Sequence, residues 1–169
     1  KSKDFALWKA NAKSVDLNVN YDADWGCGLG NVRYKSPSSY IGAYPNSEEE
    51  TQAILTLLEK NNYIMALSYH CKGEEIYWGY NEDTNYKEEA SEIARHLKYE
   101  LKQSVGSCGG LKDYYTLIYK RLGLTIEIGN DRFSHPFPLS ELDNIISQHK
   151  DSLELIVKIA KRLEQKKGY

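Results

Sequence analysis

The sequence predicts an α/β fold, with helices packed on the faces of a sheet, from three observations. Two short apolar runs, YIMALSY at 63–69 and LTIEI at 124–128, have strand length and polar or glycine flanks. Segments with apolar residues at helical spacing lie before, between and after them. The chain has 169 residues, 41% of them hydrophobic, and a chain of ~150 residues already buries roughly 70% of its unfolded surface in one core. Helices alternating with strands in this way cover a sheet. No repeat or long Pro/Gly/Ser linker divides the sequence, so 1–169 is read as a single domain.

Each element follows from local chemistry. Residues 21–45 read as loop, punctuated by Gly26, Gly28, Gly30, Pro37, Gly42 and Pro45. A helix is expected from Ser47: Ser47 and Glu50 have capping-box spacing, and Ile54, Leu57 and Leu58 form an apolar stripe. Glu48, Glu49 and Glu50 suit the positive end of its dipole as a solvated first turn. Asn61-Asn62 ends it, the strand 63–69 follows, and Glu75–Tyr80 is a second strand candidate. Tyr86–Lys102 reads as a helix with Ala90, Ile93, Ala94, Leu97 and Leu101 on one face. After Gly106, Gly109 and Gly110 come a short helix over 112–120 and the strand 124–128. A final helix over 151–166 would bury Leu153, Ile156, Val157, Ala160 and Leu163.

Composition excludes several function classes. A net charge of −2 gives no basic excess for nucleic acid or an anionic membrane surface. No apolar run approaches the ~20 residues of a membrane-spanning helix. Cys27, Cys71 and Cys108 lack the close spacing of a structural zinc site and are read as reduced thiols of a cytoplasmic protein. The opening KSKDFALWKANAK has no apolar secretory core and no initiator Met. A cell-wall or spore-associated location would require a signal further upstream.

Three places carry candidate chemistry. His70 directly follows the apolar strand, where the chain leaves the sheet; a single such His is more often structural than functional. Glu127 lies inside LTIEI, where alternation puts Thr125 and Glu127 on one face and Leu124, Ile126 and Ile128 on the other. A buried carboxylate needs a partner or a task; a carboxylate paired with Lys or Arg on an exposed face fits the spacing equally well. Asp16, Asn18 and Asn20 alternate in DLNVN, a pattern also typical of Asx turns. His96, His135 and His149 read as structural or solvated.

Taken together and in order, these segments resemble the zinc carboxypeptidase family. WKANAKSVDLNVNYDADW (8–25) is similar to its WKAN-x-x-GVDLNRNF segment, and PNSEEETQAI (45–54) to its P-x-SEPET-x-A helix start. ALSYHCKGEEIYW (66–78) matches the strand ending in the third zinc ligand; GGLKDYY (109–115), LTIEIG (124–129) and Pro136-x-Pro138 complete the pattern. The branch it most resembles is the bacterial γ-D-glutamyl-diaminopimelate peptidases of peptidoglycan stem peptides. The resemblance implies a mixed central sheet with helices on both faces, a zinc cofactor and a peptide substrate. It implies His70 as zinc ligand, Glu127 as general base, Asn18 as a holder of the substrate carboxylate, and Lys112 and Asp113 as shapers of the pocket. The family's tyrosine near the scissile bond falls in register with Thr116, and packing roles are expected for Tyr114 and Tyr115.

Two positions depart from the family. Its first two zinc ligands form an HxxE motif ahead of DLNRN; this sequence contains no HxxE, and Asp16 lies only 15 residues after Lys1. The chain is therefore expected to be an N-terminally truncated domain with further ligands upstream. Val19 stands where the family has Arg, and an isopropyl group cannot donate a guanidinium's paired hydrogen bonds. The leading expectation is a zinc peptidase domain for bacterial cell-wall peptides, with this chain alone inactive because the HxxE pair is absent. The alternatives are a non-catalytic peptide-binding relative and, less favoured by Val19, a metallocarboxypeptidase acting on ordinary protein C-termini.

Overall fold

The computed structural model describes residues 5–81 and 85–167. Its centre is a four-stranded mixed sheet in the order β1-β4-β2-β3, built from β1 (Met65–Cys71), β2 (Glu75–Trp78), β3 (Glu100–Gln103) and β4 (Leu122–Ile128). β1 runs parallel to β4, β4 antiparallel to β2, and β2 parallel to β3. Among the described residues there are five α-helices: α1 (Glu49–Lys60), α2 (Lys87–Leu97), α3 (Leu111–Tyr119), α4 (Leu142–His149) and α5 (Ser152–Lys167).

Strand alternation sorts the two faces. Leu122, Leu124 and Ile126 of β4 and Ile76 and Trp78 of β2 enter a core with Ala90, Ile93 and Leu97 of α2 and Ile156, Ile159 and Leu163 of α5. α3 lies across the opposite face, packed so closely on Gly123 that a β-carbon there would meet the Lys112 carbonyl oxygen at 2.8 Å. The mixed sheet with helices on both faces is the fold class expected from the sequence.

Several elements differ from expectation for identifiable reasons. α2 stops at Leu97 because Lys98 turns left-handed (φ 60°) and caps the Ala94 and Arg95 carbonyls. Leu101 then sits in β3 and still packs on the core, so its four-residue spacing from Leu97 fitted a helix by coincidence. α1 is capped by Glu48, not Ser47, with no side-chain capping bond. Glu48 is buried rather than solvated, accepting from Asn11 Nδ2 at 2.8 Å and from Ser47 Oγ at 2.8 Å. Leu57 of its expected stripe is exposed. In α5 the buried stripe is Ser152, Ile156, Ile159 and Leu163, while Leu153 and Val157 are 65% and 52% exposed. α4 was not anticipated.

The cysteines also depart from the reading as three thiols. Cys27 and Cys108 form a disulfide across 81 residues, and Cys71 is free. The loop carrying Cys27 meets the loop before α3, where Leu29 N–H donates to Gly106 O at 3.2 Å. Sequence spacing carries no trace of that encounter.

Candidate active site

His70 lies one residue inside the end of β1, not beyond it, and pairs in register with Glu127 of β4. Leu124 and Ile126 point into the core, so Glu127 points to the other face, beside His70. Both side chains are half-buried and line one cavity of about 400 Å³, with Asp16, Asn18, Val19 and Lys9 on its walls.

The DLNVN segment reaches this rim through a short 3-10 turn, Leu17–Val19. Asp16 caps it, accepting from Asn18 N–H at 3.3 Å and, through its other oxygen, from Ser39 N–H at 2.8 Å. Asn20 is wholly buried; its amide donates to Ile41 O at 2.9 Å and its oxygen accepts from Thr51 Oγ1 at 2.9 Å. Asp16 and Asn20 thus fasten the segment. Asn18 is left at the rim, its oxygen accepting from Leu111 N–H at 3.4 Å.

The surroundings set the two ionisable groups. Burial pushes His70 below its ordinary range, with Lys9 adding to the effect and Asp16 opposing it. The ring is therefore neutral near pH 7, with Nε2 2.9 Å from Ser68 Oγ. Burial pushes Glu127 above the usual carboxylate range; Lys9 opposes this, and Glu75 and Asp131 reinforce it. A neutral imidazole beside a carboxylate of raised proton affinity is equipped to bind a Lewis acid and to carry a proton.

A second cavity, of about 340 Å³, shares Glu127 and Asn18 with the first and extends to Tyr77, Thr125, Lys112 and Asp113. Lys112 and Asp113 are almost completely buried. Lys112 Nζ lies 2.5 Å from Asp113 Oδ1, donates to Gly79 O at 2.6 Å and sits 5.5 Å from the Tyr80 ring centre. Asp113 Oδ2 accepts from Gly110 N–H at 3.1 Å. Burial drives Lys112 down and Asp113 up, and each partner's charge opposes the other's shift. The pair forms a closed floor whose charges are spent internally. Thr116 is buried beneath Gly123, Tyr115 donates to Tyr63 O at 2.6 Å, and Tyr114 packs on Tyr21. These three have packing roles.

Sequence reasoning missed Tyr77, Glu75 and Lys102. Antiparallel register sets Glu75 opposite Glu127 and Tyr77 opposite Thr125, and Lys102 reaches Glu75 from β3. The GEEIYW segment carried a signal, since alternation puts Glu75 and Tyr77 on one face, but not which face.

The sequence profile of the zinc carboxypeptidases matches residues 3–144. The chain belongs to the zinc carboxypeptidase family. Among relatives, the γ-D-glutamyl-L-diamino acid endopeptidase 1 of Lysinibacillus sphaericus is 33% identical over 150 residues, covering 87% of this chain and 37% of that protein. Bovine carboxypeptidase O is 27% identical over 151 residues, covering 80% of this chain and 40% of the relative. The chain thus spans about two-fifths of the length of these relatives. Thrombin-activatable fibrinolysis inhibitor shares the fold, with a TM-score of 0.73 at 24% identity over 88% of this chain and 42% of its own. The murein-tripeptide amidase of Escherichia coli O157 aligns with a TM-score of 0.55 at 25% identity, covering 91% of this chain and 60% of its own.

Zinc carboxypeptidases take their name from a metal, and a catalytic zinc takes three protein ligands and a water. Among the described residues, no group of three His, Cys, Asp or Glu side chains is placed to hold a metal ion. His70 is a single donor, so the described part of the chain does not complete a zinc site.

Proposed function

We propose that this chain carries the proton-transfer and substrate-binding part of a peptidase site that hydrolyses γ-D-glutamyl bonds to a diamino acid in peptidoglycan stem peptides. The observation that carries it is the cross-strand pair His70 and Glu127 facing one cavity, with Asn18 on its rim. The substrate class rests on the endopeptidase of Lysinibacillus sphaericus and on Val19. Without a guanidinium at position 19 the rim lacks a bidentate clamp for a C-terminal carboxylate, leaving only the point charge of Lys9, which favours cutting inside a peptide over trimming its end.

In the reaction, water attacks the scissile carbonyl carbon while Glu127 takes one of its protons. The tetrahedral intermediate collapses as the carbon–nitrogen bond breaks, and Glu127 returns the proton to the leaving amine. The products are a carboxylic acid and a free amine. His70 is the imidazole that this chain offers to a zinc ion. The disulfide favours an oxidising compartment, such as the cell exterior, over the cytoplasm.

A non-catalytic, peptide-binding role is the second reading, favoured by the lack of a three-donor cluster among the described residues. Incubating the full expressed protein with zinc and a γ-D-Glu-diaminopimelate peptide separates the two. A new amine and a shortened peptide by mass spectrometry support hydrolysis; saturable binding without products supports the second reading.

A further inference from the structure

The second cavity is lined by the hydroxyls of Tyr77, Ser104, Ser107 and Thr125, the Asn18 amide, the Asp113 and Glu127 carboxylates and a lysine that is already partnered. The Lys112 ammonium is taken up by Asp113, the Gly79 carbonyl and the Tyr80 ring. Tyr77 donates to Glu75 Oε2 at 2.6 Å, and the other Glu75 oxygen is ion-paired with Lys102. Burial works against the Glu75 carboxylate, but the hydrogen bonds from Lys102 and Tyr77 hold it below its usual range, so it stays charged and can only accept. Tyr77 holds its proton in turn, pushed up to about 12 by that hydrogen bond.

A phenol has one proton. With it committed to Glu75, the Tyr77 oxygen presents only lone pairs to anything else. The oxygen is also fixed in place, because Lys102 anchors Glu75 from the neighbouring strand. Thr125 stands opposite Tyr77 across the ladder, and Glu127 opposite Glu75. Of the charged side chains that line the cavity, Asp113 and Glu127 outnumber Lys112 by one formal charge.

We propose that this cavity receives the protonated terminal amine of the diamino acid on the leaving side of the scissile bond, and that Tyr77, held by Glu75 and Lys102, is the residue that selects it. The inference rests on the γ-glutamyl peptidase reading and names the residue that distinguishes an amine-bearing side chain from an aliphatic one. An ammonium group brings three donors; the Tyr77 oxygen and the Thr125 hydroxyl supply acceptors, and the surplus negative charge favours a cation over a carboxylate.

The test compares dissociation constants by calorimetry for γ-D-Glu-L-Lys and γ-D-Glu-L-norleucine, which lacks the terminal amine, alongside the same pair with ordinary α-L-Glu linkage. The wild-type chain is expected to bind the lysine peptide about tenfold or more tightly than its norleucine partner, the scale of one hydrogen bond to a charged group. In Tyr77→Phe, with folding checked by circular dichroism, the two are expected to bind within about twofold. Equal affinities in the wild type overturn the inference and leave the γ-glutamyl reading standing. A lysine preference that survives in Tyr77→Phe overturns Tyr77 as the selecting residue. A lysine preference equally strong in the α-linked pair upholds the inference and defeats the γ-glutamyl reading. Failure to bind any of the four peptides defeats both.

Discussion

The two faces of β4 are built from alternate residues of one seven-residue strand, yet they obey different rules. On one face, Leu122, Leu124 and Ile126 are buried against α2 and α5, and any well-packed apolar set of the right volume would serve. On the other, Thr125 and Glu127 acquire their meaning from side chains on neighbouring strands: His70 on β1 and Glu75 and Tyr77 on β2. The first face is a matter of period and volume. The second depends on register, because sliding β1 by one residue would carry His70 away from Glu127 to the far side of the sheet.

The comparison can be broken most severely at the floor of the second cavity. Lys112→Met leaves Asp113 as a buried carboxylate without its cation and strands the Gly79 carbonyl, so urea unfolding should show a loss of about 3–5 kcal/mol. The double variant Lys112→Met/Asp113→Leu should recover much of that loss, since an apolar pair of similar volume can replace a buried ion pair. If the single variant is as stable as the wild type, the pair is not a closed floor.

A smaller effect is expected at Val19. A guanidinium beside Asn18 would restore a charge-assisted clamp, so Val19→Arg should tighten binding of peptides with a free C-terminal carboxylate by roughly 10- to 100-fold, the scale of about 1.5–3 kcal/mol. Unchanged affinity in a folded variant would show that this side chain does not face the substrate.

The smallest effect concerns Glu127 itself. Its proton affinity is raised by folding, so the ionised carboxylate costs stability at any pH above its unfolded value of about 4.3, in full once the pH exceeds the raised folded value. Glu127→Gln removes that cost. Its Tm should exceed the wild-type Tm modestly at pH 7, and the difference should shrink steadily as the pH falls through the folded and then the unfolded value, where both states of the wild type become protonated. A variant less stable than the wild type at pH 7 would mean that the carboxylate is held by a partner rather than poised.

The apolar face was largely legible in the sequence because period-two alternation marks it directly, as at Leu124 and Ile126. Its errors arose where two periods coincide. Leu101 continued the helical stripe of α2 while belonging to β3, and in α5 the exposed Leu153 and Val157 mimicked a buried stripe. α4 was hidden by its shortness, eight residues, and by Pro136 and Pro138 just ahead of it. On the polar face, His70, Glu127 and Asn18 were singled out through motif resemblance, and they share one cavity. Tyr77, Glu75 and Lys102 were not, because their proximity depends on which strands pair and in which direction. The Cys27–Cys108 link was illegible for the same reason, being a contact between loops.

The central claim is that the polar face of β4 does the chemistry, and kcat/KM of Glu127→Gln on a γ-D-Glu-diaminopimelate peptide tests it most directly. Losing a general base costs roughly 10²- to 10⁴-fold, and a fall of that size is predicted in a variant at least as stable as the wild type. Cleavage by a folded Glu127→Gln protein within about threefold of the wild-type rate would contradict it.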